Sequence, residues 1–245
     1  VWRDGIRCDD TNAPDRLPPQ DLFAKPIADY GSVGTMSFTH DPRAGGYRHE
    51  GELVPASGVL EVLRQRSIGT GYLLQPKLRN GGAWADYGDR DLCNLRIVTG
   101  RFPDGEPQVI ASFLRLPSSH TTVGHDRHVL LSSIDVETGR MGPGLFREIT
   151  KGHFDRHPDT NAPITGRVLP GWAEKVALTL AAHRTLPWMP FIGWDVVETA
   201  AGLFLLEANA FWGADAAQLP GAVPLGRTAF PAIYWAWTEN LAPAA

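Results

Sequence analysis

Asp195, Glu207 and Asn209 sit among valines, leucines and a phenylalanine in the stretch GWDVVETAAGLFLLEANA, Gly193 to Ala210. Apolar residues on either side of Ala200-Ala201-Gly202 suggest a β-hairpin with a three-residue turn, the glycine standing where a positive φ helps. With that turn Thr199 faces Leu203, Val197 faces Leu205 and Asp195 faces Glu207. Strand alternation then puts Asp195, Val197, Thr199, Leu203, Leu205, Glu207 and Asn209 on one face. Directly opposed side chains have Cβ atoms about 4.5–5.5 Å apart, so the two carboxylates repel each other unless a cation lies between them. Asp, Glu and Asn are hard oxygen donors of the kind Mg²⁺ accepts while it keeps water and phosphate oxygens as its other ligands. Two alternatives stay open: the acids face solvent at an edge, or a two-residue turn breaks the facing pair.

Magnesium held by carboxylates pairs with phosphate, and cationic groups elsewhere in the chain fit that partner. Lys25 lies in the strand-like segment LFAKPI and offers a point charge for phosphate oxygens. Six residues on, Gly31-Ser32-Val33-Gly34 can aim backbone N–H groups at the same anion, or be no more than a glycine-rich hairpin turn. It is not a Walker loop, because no Gly-Lys-Ser/Thr follows it. Arg96 and Arg115 stand mid-strand in NLRIVTG and SFLRLPS, where an arginine among apolar residues needs an anion. That anion is either a phosphate in transfer or an internal carboxylate, Asp195 or Glu207.

The elements that must position these groups are short and mostly extended. Strands are expected at Leu22–Ile27, Thr35–Phe38, Tyr72–Leu78, Leu95–Thr99, Gln108–Leu116 and Val129–Val136, with helices over 56–66, 171–185 and about 232–240. Val59, Leu60 and Leu63 mark the inner side of the first helix, and Trp172, Val176 and Leu180 that of the second. Residues 1–20 read as an irregular lead-in and 140–170 as mostly loop. Strands outnumber helices and join as hairpins, which is an α+β pattern.

Composition narrows the functional classes. A chain of 245 residues with 43% hydrophobic and 20% charged residues has the makeup of an ordinary globular protein. A net charge of −4 argues against nucleic-acid and anionic-membrane partners, and no apolar run is long enough to span a bilayer. Cys8 and Cys93 are too few for a disulfide framework or a zinc cluster, so a reduced, cytoplasmic setting is expected. His153 and His157 are four apart, but Gly152 and Pro158 argue against the helix a zinc pair would need. His120, His125 and His128 read as a solvated loop or as a source of one general base. Trp188, Trp194, Trp212, Trp235 and Trp237, around the hairpin and the tail, read as packing, or one of them as a ring that stacks on a sugar or other substrate.

Taken in order, LFAKPIADYGSVG, YLLQPKL, NLRIVTGRFPDGEP, FLRLP, IDVETGR, PITGRVLPGW and GWDVVETAAGLFLLEANA resemble the sugar-transfer-associated ATP-grasp family, related to α-L-glutamate ligase-like proteins. The resemblance implies an α+β ATP-grasp fold of two antiparallel β lobes with flanking helices and ATP between them, the smaller lobe 1–75 and the larger 76–245. It implies Lys25 on the nucleotide phosphates, Gly31, Ser32 and Gly34 in the covering flap, and Gln75, Lys77 and Leu78 bordering the adenine. Arg96 and Arg115 match catalytic arginines near the phosphates, and Asp195, Glu207 and Asn209 match ligands of one or two Mg²⁺ ions. The implied activity is a Mg-ATP-dependent carboxylate–amine ligase acting through an acylphosphate on small-molecule substrates. A nucleotide-binding module without chemistry and a phosphotransferase acting on a hydroxyl are the alternatives. The family carries a lobe ahead of the Lys25 strand, so the sequence is expected to be an excerpt of a longer protein. It also tends to have an asparagine and a glycine pair after FLRLP, where this chain has Thr122-Val-Gly-His-Asp126, so the family's acceptor-side contacts do not carry over to this segment.

Overall fold

The computed structural model describes residues 1–8, 17–28, 33–88, 91–119 and 129–239, and divides the chain into two compact units, Val1–Leu78 and Arg79–Ala245. The expected lobe boundary after residue 75 falls inside the last strand of the first unit.

In the first unit the strands are β1 (Trp2–Arg3), β2 (Ile6–Arg7), β3 (Leu22–Pro26), β4 (Met36–Asp41), β5 (Gly46–His49), β6 (Glu52–Val54) and β7 (Gly71–Pro76), with one helix, α1 (Ala56–Arg66). They form an antiparallel sheet in the order β2-β1-β7-β3-β4-β5-β6. Alternation along β3 buries Leu22 and Ala24 against Phe38, Tyr72 and the Val59-Leu60-Leu63 stripe of α1, and leaves Phe23 and Lys25 on the opposite face. The start of the lead-in, residues 2–7, is not irregular. Trp2 pairs with Arg7 across an Asp4-Gly5 turn in which both residues have positive φ, 47° and 77°, the type I′ geometry that Asp-Gly favours. Trp2 then enters the core.

The second unit contains β8 (Asn94–Gly100), β9 (Gln108–Pro117), β10 (Val129–Ile134), β11 (Met141–Leu145), β12 (His153–Phe154), β13 (Phe191–Thr199) and β14 (Gly202–Asn209). The sheet is again antiparallel, in the order β12-β11-β10-β9-β8-β13-β14. One face carries Val98, Phe113 and Leu131 against Trp212, the short helix α3 (Ala214–Gln218) and α4 (Phe230–Glu239). On β8, β9 and β13 packs α2 (Trp172–Arg184).

Two expectations change here. Met141-Gly-Pro-Gly-Leu145 reads as loop but is a strand beside β10. Its glycines are there for close approach: a Cβ on Gly142 would lie 2.3 Å from Ser133 Oγ, and one on Gly144 2.4 Å from Leu130 Cδ2. The buried stripe of α2 is Trp172, Lys175, Thr179 and His183 rather than Trp172, Val176 and Leu180. A polar stripe is tolerated because every member is bonded. Lys175 Nζ forms an ion pair with Glu198 Oε2 at 2.8 Å and donates to the Pro170 carbonyl at 2.6 Å, Thr179 donates to the Val176 carbonyl, and His183 joins β8.

Candidate active site

In the hairpin Thr199 pairs with Gly202, so the turn has two residues, Ala200-Ala201, and not three. The Thr199 hydroxyl holds it, accepting from Ala201 N–H at 3.0 Å and donating to the Gly202 carbonyl at 3.2 Å. Val197 therefore faces Phe204, and the expected pairs with Leu203 and Leu205 are shifted by one. A bulge between Asp195 and Val196 then takes up Leu206 as an extra residue, and Asp195 faces Glu207 after all. The short turn and the bulge offset each other, so the two acids share a face while Leu203 and Leu205 move to the other one.

The row continues across the sheet. Arg96 on β8 pairs with Asp195, and Phe113 on β9 pairs with Arg96. One step along the same face stand Gly193 opposite Asn209, and on the other side Asn94 opposite Arg115. Asp195, Glu207, Asn209, Arg96 and Arg115 are thus gathered on one face of four adjacent strands.

Arg96 and Asp195 are both 6% exposed and form an ion pair, Nε to Oδ1, at 2.5 Å. Nη1 of Arg96 donates to the Trp212 carbonyl at 2.8 Å. Of the two anions open to Arg96, the internal carboxylate is the one it meets, and the arginine supplies the counter-charge that would otherwise fall to a cation. Arg115 is half-buried and engaged in interactions of its own. Asn94 Oδ1, across from it, is buried without a hydrogen-bond partner among the described residues.

The oxygens left over fit a hard cation. Asp195 Oδ2 and the exposed Glu207 carboxylate have no hydrogen bonds among the described residues, since Arg96 engages only Oδ1. Asn209 donates through Nδ2 to the Gly193 carbonyl at 3.2 Å, which fixes its amide and presents Oδ1 as an acceptor. Among the described residues no three His, Cys, Asp or Glu side chains cluster; the candidate set is two carboxylates and an amide. Its donor chemistry fits Mg²⁺ and excludes the softer transition metals as preferred occupants.

Sequence reasoning missed the support behind β13. Trp194, on the reverse face, donates Nε1–H to Thr99 Oγ1 at 2.8 Å; Thr99 Oγ1 lies 2.7 Å from His183 Nδ1, and His183 Nε2 is 2.9 Å from the Met189 carbonyl. This chain fixes the His183 tautomer, with Nε2–H donating to Met189 and Nδ1 accepting from Thr99. The signal available in the sequence was the polar set Lys175, Thr179 and His183 at helical spacing. Burial pulls the His183 pKa below 6.5; the Met189 hydrogen bond opposes that shift and nearby Arg101 adds to it. A histidine held neutral in the fold but free to charge when unfolded contributes stability above about pH 6.5, lost as pH falls toward its folded pKa. The stability gap between wild type and His183→Gln is therefore expected to narrow in thermal melts as pH falls below 6.5. A gap independent of pH contradicts this.

In the first unit, Lys25 pairs across β3–β7 with Leu73, and Phe23 with Gln75, so Lys25 and Gln75 share the face turned away from that unit's core. Lys77 follows β7, its backbone N–H donating to the Asp21 carbonyl at 2.8 Å, and Leu78 is half-buried. Gly34 has φ +75° and its carbonyl accepts from Tyr72 Oη at 3.0 Å; a Cβ there would lie 2.8 Å from that oxygen, so only glycine fits. Gly31 and Ser32 lie outside the described residues, as do His120, His125 and His128. His153 is exposed on β12 while buried His157 bonds the Pro117 carbonyl through Nε2 at 2.9 Å, so the two do not form a metal pair. No helix among the described residues is long and apolar enough to cross a membrane.

Residues 72–229 match the family model described as sugar-transfer associated ATP-grasp. The match takes in Gln75, Lys77, Leu78, Arg96, Arg115, Asp195, Glu207 and Asn209, and leaves Lys25 and the Gly31–Gly34 turn before it. No curated protein matches the chain.

Proposed function

The chain belongs to the sugar-transfer associated ATP-grasp family, and from that premise we propose that it is a Mg-ATP-dependent ligase that activates a carboxylate for attack by an amine or similar nucleophile. The observation that carries this reading is the row Glu207–Asp195–Arg96, with Asp195 Oδ2, the Glu207 carboxylate and Asn209 Oδ1 without partners among the described residues on one sheet face. Those three side chains would hold Mg²⁺, which when bound supplies charge neutralisation at phosphate oxygens. By the family resemblance Lys25 would meet the nucleotide phosphates, Arg115 would add positive charge near them, Gln75, Lys77 and Leu78 would border the base, and Gly31, Ser32 and Gly34 would belong to the covering flap.

In the proposed sequence a substrate carboxylate oxygen attacks the γ-phosphorus and the bond to the β–γ bridging oxygen breaks. ADP leaves and an acylphosphate remains. The nucleophile then attacks the acyl carbon, inorganic phosphate departs, and the nucleophile's proton passes to solvent. Catalysis of this kind rests on positioning and charge complementarity, with no covalent enzyme intermediate.

A second reading is favoured by the family's description, which names sugar transfer. A sugar offers hydroxyls, and the same residues would serve direct phosphoryl transfer to one. Incubation with Mg-ATP and panels of carboxylates, amines and sugars, followed by mass spectrometry, separates the two. Amide or ester product with ADP and free phosphate supports the ligase. A phosphorylated acceptor with ADP and no free phosphate sinks it in favour of the second reading.

A further inference from the structure

We infer that Arg96 is a positioning residue, not a phosphate contact, and that Gly193 is glycine because the Arg96 side chain must cross it. The inference rests on the Mg-ATP reading for its consequence, though its geometry stands without it. Arg96 uses Nε on Asp195 Oδ1 and Nη1 on the Trp212 carbonyl, and it is buried. These two bonds join β13 to the chain that leaves β14 just past Asn209. One side chain therefore fixes which oxygen of Asp195 is left for a cation and where the segment following Asn209 lies. A fork of fixed, planar donors suits two acceptors in different directions, which a lysine's point charge does not.

The path of that side chain explains Gly193. A Cβ at position 193 would lie 3.0 Å from Arg96 Cδ, 3.3 Å from its Nη1 and 2.3 Å from Trp212 Cβ. Backbone conformation does not demand the glycine, since Gly193 is not among the glycines with positive φ. The space above it is what is needed, and Arg96 and Trp212 fill it.

Arg96→Lys keeps the charge and removes the fork, so it is the informative variant. Calorimetry with the non-hydrolysable ATP analogue AMP-PNP, run across a Mg²⁺ series, reads the effect. With Arg96 positioning Asp195, the Mg²⁺ concentration for half-maximal binding rises about tenfold or more, while affinity at saturating Mg²⁺ stays within about threefold of wild type. A loss of AMP-PNP affinity that is the same at limiting and saturating Mg²⁺ makes Arg96 a phosphate contact and overturns the inference. No change at either also overturns it. Wild type that fails to bind AMP-PNP with Mg²⁺ counts against the Mg-ATP reading instead. The clamp is then read directly from the Arg96 Nε–H resonance, which is expected to exchange slowly in wild type and fast in Asp195→Asn. Fast exchange in wild type overturns it. Gly193→Ala, if it folds, is expected to shift the Mg²⁺ dependence in the same direction as Arg96→Lys.

Discussion

Glu207→Gln and Asp195→Ala are both expected to abolish Mg-ATP-dependent turnover, and only Asp195→Ala to destabilise the fold. Glu207 is exposed and unpaired among the described residues, so neutralising it leaves nothing buried without a partner. Its stability is expected to stay within about 0.5 kcal/mol of wild type. Asp195 is the counter-ion of Arg96, and removing it strands a guanidinium that is 6% exposed. Breaking a buried pair from one side costs about 3–5 kcal/mol, because the remaining charge is neither solvated nor paired. The turnover loss in each should exceed the roughly 10–100-fold that substitutions behind a metal ligand produce. Thermal melts and ADP-release assays on the two variants measure both quantities. Full activity in either variant, or equal destabilisation in both, contradicts the assignment.

The second large effect is expected at Lys25. Its side chain leaves β3 on the face away from Leu22, Ala24 and the α1 stripe, so Lys25→Ala touches no core contact. A charge-assisted hydrogen bond to phosphate is worth about 1.5–3 kcal/mol, which converts to roughly a 10–150-fold weaker nucleotide affinity. The melting temperature is expected to stay at the wild-type value. Calorimetry with AMP-PNP at saturating Mg²⁺ reads the affinity, and an unchanged value removes Lys25 from the nucleotide contacts.

Much of this arrangement is legible in the amino-acid order, and the parts that are not share a cause. The α+β class, α1 with its Val59-Leu60-Leu63 stripe, and the facing of Asp195 with Glu207 follow from periodicity and residue type. The last follows for the wrong local reason: the turn is shorter than expected and a bulge restores the pairing. Bulges depend on what lies across the sheet, which local spacing does not report. The same applies to Met141–Leu145, whose glycines look like loop residues until Ser133 and Leu130 are brought against them. Lys175 and His183 look like surface residues of α2 because their partners, Glu198 and Thr99, are on strands far along the chain. Arg96 shows the limit for the site itself. An arginine in mid-strand announces that an anion is near, and only the fold shows that the anion is Asp195.

The most direct test of the central claim is calorimetric titration of the wild-type protein with AMP-PNP, with and without Mg²⁺, beside Glu207→Gln under the same conditions. The account requires binding by wild type that depends on Mg²⁺, and loss of that dependence in Glu207→Gln with the fold intact. Binding that is indifferent to Mg²⁺, or equal in the two proteins, would mean that Asp195, Glu207 and Asn209 do not hold the metal.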